Sequence, residues 1–186
     1  VVAYPVNNLR NGGHFKTTDG GATGNRPKTA NYSAPGAFPN VVYFWDENIG
    51  FAQGDPVDGE YELYTTVDGG ENWTQVNGNN IPNPLDGEYG YVRQIEVYED
   101  NVWYTTNRGR IYHSTDKGFN WVVYNTNVTD FAGIRLSFAN ENDGVYIDRF
   151  SGAVYRSFNG GASWQQIDTQ GPIFTSDLSY APNSNT

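Results

Sequence analysis

The chain carries the octapeptide Thr66-Val67-Asp68-Gly69-Gly70-Glu71-Asn72-Trp73 together with three related copies, so internal repetition is its leading feature. The other copies are Thr17-Thr18-Asp19-Gly20-Gly21-Ala22-Thr23, Ser114-Thr115-Asp116-Lys117-Gly118-Phe119-Asn120-Trp121 and Ser157-Phe158-Asn159-Gly160-Gly161-Ala162-Ser163-Trp164. The third positions of successive copies are 49, 48 and 43 residues apart. A period of about 40–50 residues is typical of four-stranded propeller blades and exceeds that of most solenoid repeats.

Each copy, called a box below, has the residue types of a tight turn between two strands. An Asp or Asn side chain can accept hydrogen bonds from backbone N–H groups just ahead of it, and a preceding Ser or Thr adds a second local bond. The glycines permit positive φ, and the tryptophan begins the next strand with a large ring to bury. We therefore interpret the boxes as structural. The predicted structural residues are Thr17, Asp19, Thr66, Asp68, Gly70, Trp73, Ser114, Asp116, Gly118, Trp121, Ser157, Asn159, Gly161 and Trp164.

A weaker pattern precedes each of the last three boxes. It consists of an apolar strand end, an acidic or amide turn and a further strand, as in Phe44-Trp45-Asp46-Glu47-Asn48-Ile49-Gly50-Phe51. Together the two patterns predict four strands per repeat. The predicted strands are 40–45, 50–55, 61–66, 73–76, 92–98, 102–106, 110–114, 121–125, 134–138, 144–148, 153–157 and 164–168. The predicted fold is all-β, a β-propeller of four-stranded antiparallel blades.

We predict one propeller segment over residues 1–186. It contains a partial blade at 1–38, blades at 39–78, 91–127 and 133–170, and the first strand of a further blade at 173–182. An open arc of about four blade-lengths would expose strand edges that proteins normally cover. We therefore expect a portion of a larger propeller, with further blades or domains in the same polypeptide.

The composition excludes several classes of function. With 22 glycines and 16% aromatic residues, the 186-residue chain is predicted to be ordered and poor in helices. The net charge of −10 disfavours binding to nucleic-acid phosphates, so no nucleic-acid partner is expected. Zero cysteine removes thiolate metal sites and thiol nucleophiles. No apolar run reaches the ~18 residues that a membrane-spanning helix needs.

The box pattern, Ser/Thr-x-Asp-x-Gly-x-x-Trp, resembles the Asp-box repeats of bacterial neuraminidases. Propellers with such repeats include sialidases, xyloglucan-active glycosidases, sortilin-type receptors and relatives of photosystem II assembly factors. The segments Phe38-Pro39-Asn40-Val41-Val42 and Gly109–Gly118 are similar to secreted Bacteroidetes proteins that resemble the assembly-factor propellers and often carry a type IX secretion sorting domain. The resemblance implies a secreted or cell-surface bacterial protein, and it brings no catalytic residues.

In propellers of this class the active face is formed by loops that join second and third strands and by links between blades. The resemblance therefore directs attention to Gly54–Glu60, Asn77–Gly90, Asn107–Arg110 and Asp148–Gly152. The candidate ligand-binding residues in these loops are Asp55, Asp58, Glu88, Tyr89, Arg108, Arg110, Asp148 and Arg149. Their mixed charge suits a sugar or a protein, although surface loops are polar in any case.

No cofactor is expected, and no metal site is assigned. Calcium stays open because carboxylates occur together at Asp46-Glu47-Asn48 and Glu99-Asp100-Asn101, but solvated turns explain these clusters better. The two histidines, His14 and His113, lie far apart in sequence, so a Ser-His-Asp triad has no support.

The leading hypothesis is a non-catalytic binding or structural module that recognises a protein or a glycan through inter-strand loops. One alternative is a fragment of a sialidase- or xyloglucanase-like glycoside hydrolase, which requires two carboxylates roughly 5–10 Å apart across a cleft. Arg26-Pro27, the only Arg-Pro pair, follows the first box instead of preceding it, which argues against a sialidase. A further alternative is an assembly factor for a membrane protein complex.

Overall fold

The computed structural model describes residues 2–3, 13–26, 29, 32–33, 38–128, 133–171 and 175–180. Within them the fold is all-β, with three four-stranded antiparallel sheets, a short two-stranded pair and a single 3-10 turn at Gly78–Asn80. Backbone contacts divide the chain into two compact units. The first comprises Val1–Arg93 and Lys117–Asn120, and the second comprises Gln94–Asp116 and Trp121–Thr186.

The first unit contains one complete four-stranded sheet. The strands of this unit are β1 Val2–Ala3, β2 Gly13–His14, β3 Pro39–Phe44, β4 Gly50–Val57, β5 Glu60–Thr66 and β6 Thr74–Gln75. β1 pairs with β2, and β3 to β6 lie side by side in chain order. Ala52, Tyr64, Tyr32 and Trp73 form a buried cluster, because β4 and β5 are buried along most of their length and the aromatic rings pack on them.

The second unit contains the other two sheets. Their strands are β7 Gly90–Tyr98, β8 Asn101–Thr106, β9 Arg110–Ser114, β10 Val122–Asn125, β11 Ile134–Phe138, β12 Gly144–Asp148, β13 Val154–Ser157 and β14 Gln165–Ile167. Only the first four residues of β7 cluster with the first unit. Each sheet keeps chain order, and the core between them contains Trp103, Ile111, Ile134, Phe138 and Tyr146.

All twelve predicted strands are present, and none of their ends differs from the observed end by more than two residues. The all-β prediction is thus confirmed, whereas the blade boundaries stay a prediction. Of residues 173–182, predicted to form the first strand of a further blade, only 175–180 are described, and these six residues are not assigned to a strand. Among them, Tyr180 donates its backbone N–H to Ser137 Oγ at 3.4 Å. Just under half of the predicted partial blade at 1–38 lies outside the described residues.

The box turns share a hydrogen-bond pattern. In the second box, Thr66 Oγ1 donates to Asp68 Oδ1 at 2.9 Å and accepts from Gly70 N at 3.0 Å. Asp68 Oδ1 also accepts from Asn72 N at 2.9 Å. The first and fourth boxes repeat all three bonds, with Asn159 replacing the aspartate in the fourth. These bonds satisfy backbone groups that the tight turn leaves outside the ladder.

The third and fourth box turns also pack on a strand of the preceding repeat. The ring of Phe51 in β4 covers Gly118, where a Cβ would lie 2.7 Å from the ring. The matching residue in β8, Trp103, donates its indole N–H to the carbonyl oxygen of Gly160 at 2.9 Å. Phe51 and Trp103 occupy the same register position, one residue past the partner of the first box residue. The boxes therefore join successive repeats as well as closing their own turns.

Candidate functional site

The predicted ligand-binding residues fall into two sets. Asp55, Asp58, Glu88 and Tyr89 belong to the first unit, and Arg108, Arg110, Asp148 and Arg149 belong to the second. Each set is therefore described within its own unit.

In the first unit, two of the four candidates accept hydrogen bonds from the segment 77–90, which connects two repeats. Asp55 Oδ1 accepts from Asn40 Nδ2 at 2.6 Å and from the backbone N–H of Gly90 at 3.1 Å. Burial raises the pKa of Asp55, and these two hydrogen bonds oppose the rise. Glu88 is buried, and its Oε2 accepts from Leu85 N at 2.7 Å. Both carboxylates thus have structural partners.

The other two candidates of the first unit face solvent. Asp58 occupies the turn between β4 and β5 with φ of 52° and is exposed. Tyr89 is partly exposed and meets Tyr91 edge to face, with ring centroids 5.9 Å apart. They can contact a ligand, but the two side chains alone form no enclosed site.

In the second unit, Arg110, Asp148 and Arg149 make side-chain hydrogen bonds within the unit. Arg110 is buried, and its Nη2 donates to the hydroxyl of Tyr112 at 2.9 Å. Asp148 accepts from Phe150 N at 2.9 Å and from the hydroxyl of Ser151, so both of its oxygens are engaged. Arg149 Nε donates to the carbonyl oxygen of Thr175 at 3.3 Å.

Arg108 is half-buried, and its backbone N–H donates to Thr106 Oγ1 at 3.3 Å. Arg108 lies in the turn after β8, and Arg110 begins β9. Asp148 ends β12, and Arg149 follows it. Both pairs therefore lie next to the end of the second strand of their sheet, as expected from the sequence. Within each unit the geometry gives a structural partner to Asp55, Glu88, Arg110 and Asp148. Asp58 and Tyr89 are the exposed members of the first set.

A cleft of about 310 Å³ lies elsewhere in the first unit, beside the second box. We call it the aromatic cleft. Its lining comprises His14, Phe15, Lys16, Thr17, Val42, Phe44, Asp46, Glu47, Gly69, Gly70 and Trp73. The segment after β2 forms one wall, and the end of β3 with the box turn forms the other.

The floor of the aromatic cleft is aromatic and rigid. Trp73 is buried, the His14 ring lies 4.7 Å from it, and Phe44 meets it edge to face at 5.8 Å. Phe15 and Phe44 stay 41% and 38% exposed, so apolar surface is open to a ligand. Such partly exposed rings around a buried anchor are typical of interaction sites.

Electrostatics make the floor neutral and the rim acidic. Burial lowers the pKa of His14 to about 4, so its imidazole is uncharged at neutral pH. Hydrogen bonds from Ile49 N and Asn48 N lower the pKa of Asp46, which therefore remains ionised beside Glu47. Lys16 is already paired with Glu71, with Nζ 2.5 Å from Oε1. A ligand with positive charge next to an apolar group matches this surface.

The aromatic cleft was not predicted from the sequence, in which Asp46-Glu47-Asn48 indicated only a turn or a calcium cluster. The turn is present, but no group of three or more His, Asp or Glu side chains among the described residues is placed to hold a metal ion. The available signal was Phe15, beside the first box, and Phe44, at a strand end. Phe15 and Phe44 are 29 residues apart in sequence, and only the folded structure shows that both line one cleft.

Glu96 in β7 is a perturbed carboxyl of the second unit. Burial and the negative charge of Asp177 raise the pKa of Glu96 to about 7, while hydrogen bonds from Phe138 N and Ser137 partly offset the rise. Because the folded state favours the protonated acid, the free energy of unfolding should fall as pH rises from about 4.5 to about 7. For this partly exposed group we expect a loss on the order of 2 kcal/mol.

Urea unfolding at pH 5 and pH 8 measures this loss. Glu96→Gln should remove most of the decrease, because the amide stays neutral at both pH values. The control is Glu141→Gln, which changes an exposed carboxylate in the same unit and should keep the wild-type pH dependence. Equal pH dependence in wild type and Glu96→Gln would contradict the prediction.

Comparison with known proteins identifies the family. Residues 10–185 match the family described as photosynthesis system II assembly factor YCF48. The chain belongs to this family. No curated protein sequence matches the chain significantly. Within the described residues, no helix has the length and apolar character to cross a membrane.

Solved structures of similar fold come from the same family and from glycoside hydrolases. YCF48 bound to a D1 peptide is 21% identical with a TM-score of 0.50, and YCF48 from Cyanidioschyzon merolae is 20% identical with a TM-score of 0.50. Both alignments cover 70% of this chain, but only 39% and 37% of the YCF48 chains. The GH74 enzyme of Niastella koreensis is 18% identical with a TM-score of 0.59, over 83% of this chain and 26% of its own. At these identities the likeness shows a propeller fold, and the chain spans well under half of each relative.

Proposed function

We propose that this chain is a non-catalytic, peptide-binding part of a β-propeller protein. The observation that carries the proposal is the aromatic cleft, whose exposed Phe15 and Phe44 lie above a buried Trp73 and beside an acidic rim. A YCF48 relative has been solved with a D1 peptide, which supports peptide binding as a property of such propellers. The ligand we propose is a peptide segment with an apolar or aromatic side chain next to Lys or Arg.

The acidic rim gives the proposed site its selectivity. Asp46 and Glu47 lie on one wall, and the whole chain has a net charge of −10. Opposite charge across an interface raises the association rate and excludes partners of like charge. The apolar rings contribute most of the affinity, since aromatic anchors at the centre of an interface commonly exceed 1 kcal/mol each.

Fluorescence anisotropy with two labelled peptides tests the proposal. Each 12-residue peptide has a central phenylalanine, flanked by lysines in one and by glutamates in the other. Wild type should bind the lysine peptide at least about tenfold more tightly, a difference of about 1.4 kcal/mol. Phe15→Ala should weaken that binding by about tenfold, and Glu47→Lys should abolish the preference for lysine.

Glu141→Lys is the matched control for Glu47→Lys. Glu141 is exposed in the equivalent turn of the last sheet. In that turn Asn140 Oδ1 accepts from the backbone N–H groups two and three residues ahead, and Asp46 Oδ1 does the same in the turn that contains Glu47. Both variants change the net charge equally, but only Glu47 lines the aromatic cleft. If Glu141→Lys weakened binding as much as Glu47→Lys, net charge would explain the effect and the proposed site would be rejected.

Assembly of a membrane protein complex is a second candidate, and membership of the YCF48 family favours it. In that case the bound peptide would belong to a subunit of the complex. Affinity purification from the native organism should then recover a membrane subunit with wild type and lose it with Phe15→Ala. Recovery of the same subunit by both would contradict an assembly role for the aromatic cleft.

A glycoside hydrolase fragment has weaker support. It rests on fold likeness to GH74, while the candidate carboxylates already accept hydrogen bonds: Asp55 from Asn40, and Glu88 and Asp148 from their own loops. We further propose a secreted or cell-surface location in a bacterium of the Bacteroidetes type, with export by type IX secretion. That proposal rests on the resemblance of residues 38–42 and 109–118, and the reading frame on either side of this chain tests it.

A further inference from the structure

A second cleft in the first unit combines neutral polar side chains with a few apolar ones, and we propose that it binds a neutral oligosaccharide. We call it the amide cleft. Its volume is about 470 Å³, within the usual range for small-ligand sites. It lies between β5, β6 and the 3-10 turn on one side and Phe119-Asn120 of the third box on the other. It shares no lining residue with the aromatic cleft and does not depend on the peptide proposal.

Amide side chains are the most numerous polar groups in the lining. Asn72, Gln75, Asn77 and Asn80 are all exposed there, each with one group that accepts and one that donates hydrogen bonds. Asn77 Oδ1 accepts from Asn79 N, and Asn72 Nδ2 donates to Asp68 Oδ2 at 2.8 Å, which fixes the direction of both amides. Each keeps its other polar atom for a ligand, and Gln75 has no side-chain partner among the described residues. Sugar hydroxyls also donate and accept, so the two sets of groups match.

Phe119 adds an apolar face to the amide cleft. Its side chain is 40% exposed, and the residue lines the same cleft as the amides; its backbone carbonyl oxygen accepts from Asn80 Nδ2 at 3.5 Å. A pyranose ring has an apolar face of C–H groups that can cover an aromatic ring, while its hydroxyls point outward to polar partners. An exposed aromatic ring bordered by amides therefore fits a sugar better than it fits an ion or a wholly apolar ligand.

The charge of the lining favours neutral sugars over anionic ones. Asp68 is the one ionisable group in the lining, and no Lys or Arg is present there. Hydrogen bonds from Asn72 and Thr66 lower the pKa of Asp68 to about 2, so a negative charge persists at neutral pH. Sulfated, phosphorylated or carboxylated sugars would be repelled. A single engaged carboxylate also supplies no acid–base pair, so the site binds a glycan without hydrolysing it.

Isothermal titration with cellohexaose, maltohexaose, laminarihexaose and mannohexaose tests the proposal on the complete chain. At least one should bind saturably to wild type. Phe119→Ala should weaken that binding by about tenfold, and Gln75→Ala by about three- to tenfold. Phe119→Ala should fold normally, because the first and fourth boxes have Ala22 and Ala162 at the same position.

Gln166→Ala is the matched control. Gln166 lies in β14 opposite Tyr155, as Gln75 lies in β6 opposite Tyr64, and it is equally exposed but outside the amide cleft. It should leave sugar binding unchanged. The proposal is overturned if none of the four sugars binds saturably, or if Phe119→Ala and Gln75→Ala bind the sugar as wild type does. Loss of peptide binding alone, in the lysine-peptide experiment, would count against the aromatic cleft and not against this site.

Discussion

Replacing Trp103 with alanine should lower the free energy of unfolding by about 4 kcal/mol. The side chain is fully buried in β8, and its ring stacks on Phe138 at 3.9 Å and on His113 at 4.5 Å. Its indole N–H donates to the carbonyl oxygen of Gly160 at 2.9 Å. Alanine removes the packing and leaves a cavity between two repeats, and the buried carbonyl loses its donor.

Urea unfolding followed by circular dichroism measures this loss. Two further variants separate the contribution of the hydrogen bond from that of ring packing and provide an exposed-ring control. Trp103→Phe keeps most of the ring packing but removes the N–H donor, so it should cost about 1–2 kcal/mol. Phe150→Ala removes a ring that is 75% exposed and should change stability by less than about 0.5 kcal/mol. A loss below about 1 kcal/mol for Trp103→Ala would show that the fourth box does not pack on β8 in the folded protein.

The strands were predictable because two local signals agree at every repeat. An acidic or amide turn marks the link between the first and second strands, and the residue types of Thr66 to Trp73 mark the turn between the third and fourth strands. Neither signal requires knowledge of distant contacts. The strand expected near residues 173–182 is followed by no box, and its described residues, 175–180, are not assigned to a strand.

The candidate site was less predictable because charge in a loop does not reveal whether a side chain has an internal partner. Asp55 and Asp58 are three residues apart in one predicted loop, yet Asp55 lies in β4 and accepts two hydrogen bonds, while Asp58 is exposed in the turn that follows. Their sequence environments do not distinguish these roles. The decisive partners, Asn40 and Gly90, lie 15 and 35 residues away from Asp55.

The two clefts were not predicted because their residues had been assigned to structure, whereas the loop carboxylates had been assigned to binding. The cleft residues belong to the boxes and to the strands next to them, which the repeat pattern assigns to structure. Phe119 occupies a box position where other copies have alanine or glutamate, so the difference between copies was the usable signal. Positions that vary between repeats are free of the structural requirement that the repeats share. Such positions are therefore where a repeat protein can place a ligand contact.

Gly109→Ala should be the most disruptive single change in a turn, with an expected loss of about 3 kcal/mol or more. Gly109 has φ of 64° between β8 and β9, and its carbonyl oxygen accepts from Thr126 N at 2.9 Å and from Thr126 Oγ1 at 2.7 Å. A Cβ on Gly109 would overlap the carbonyl oxygen of Val128. Backbone cannot move aside as a flexible side chain can, so the substitution must break the Thr126 contacts.

Gly59→Ala is the control that separates overlap from backbone strain. Gly59 has φ of 85° in the corresponding turn between β4 and β5, but a Cβ there would have nothing within 4 Å. It should therefore lose only the strain of positive φ, about 1–2 kcal/mol. The difference of about 2 kcal/mol between the variants, measured by urea unfolding, reports the contact of the β8–β9 turn with residues 126–128. Equal losses would mean that this segment does not pack on Gly109, and that the turn is held by its own conformation alone.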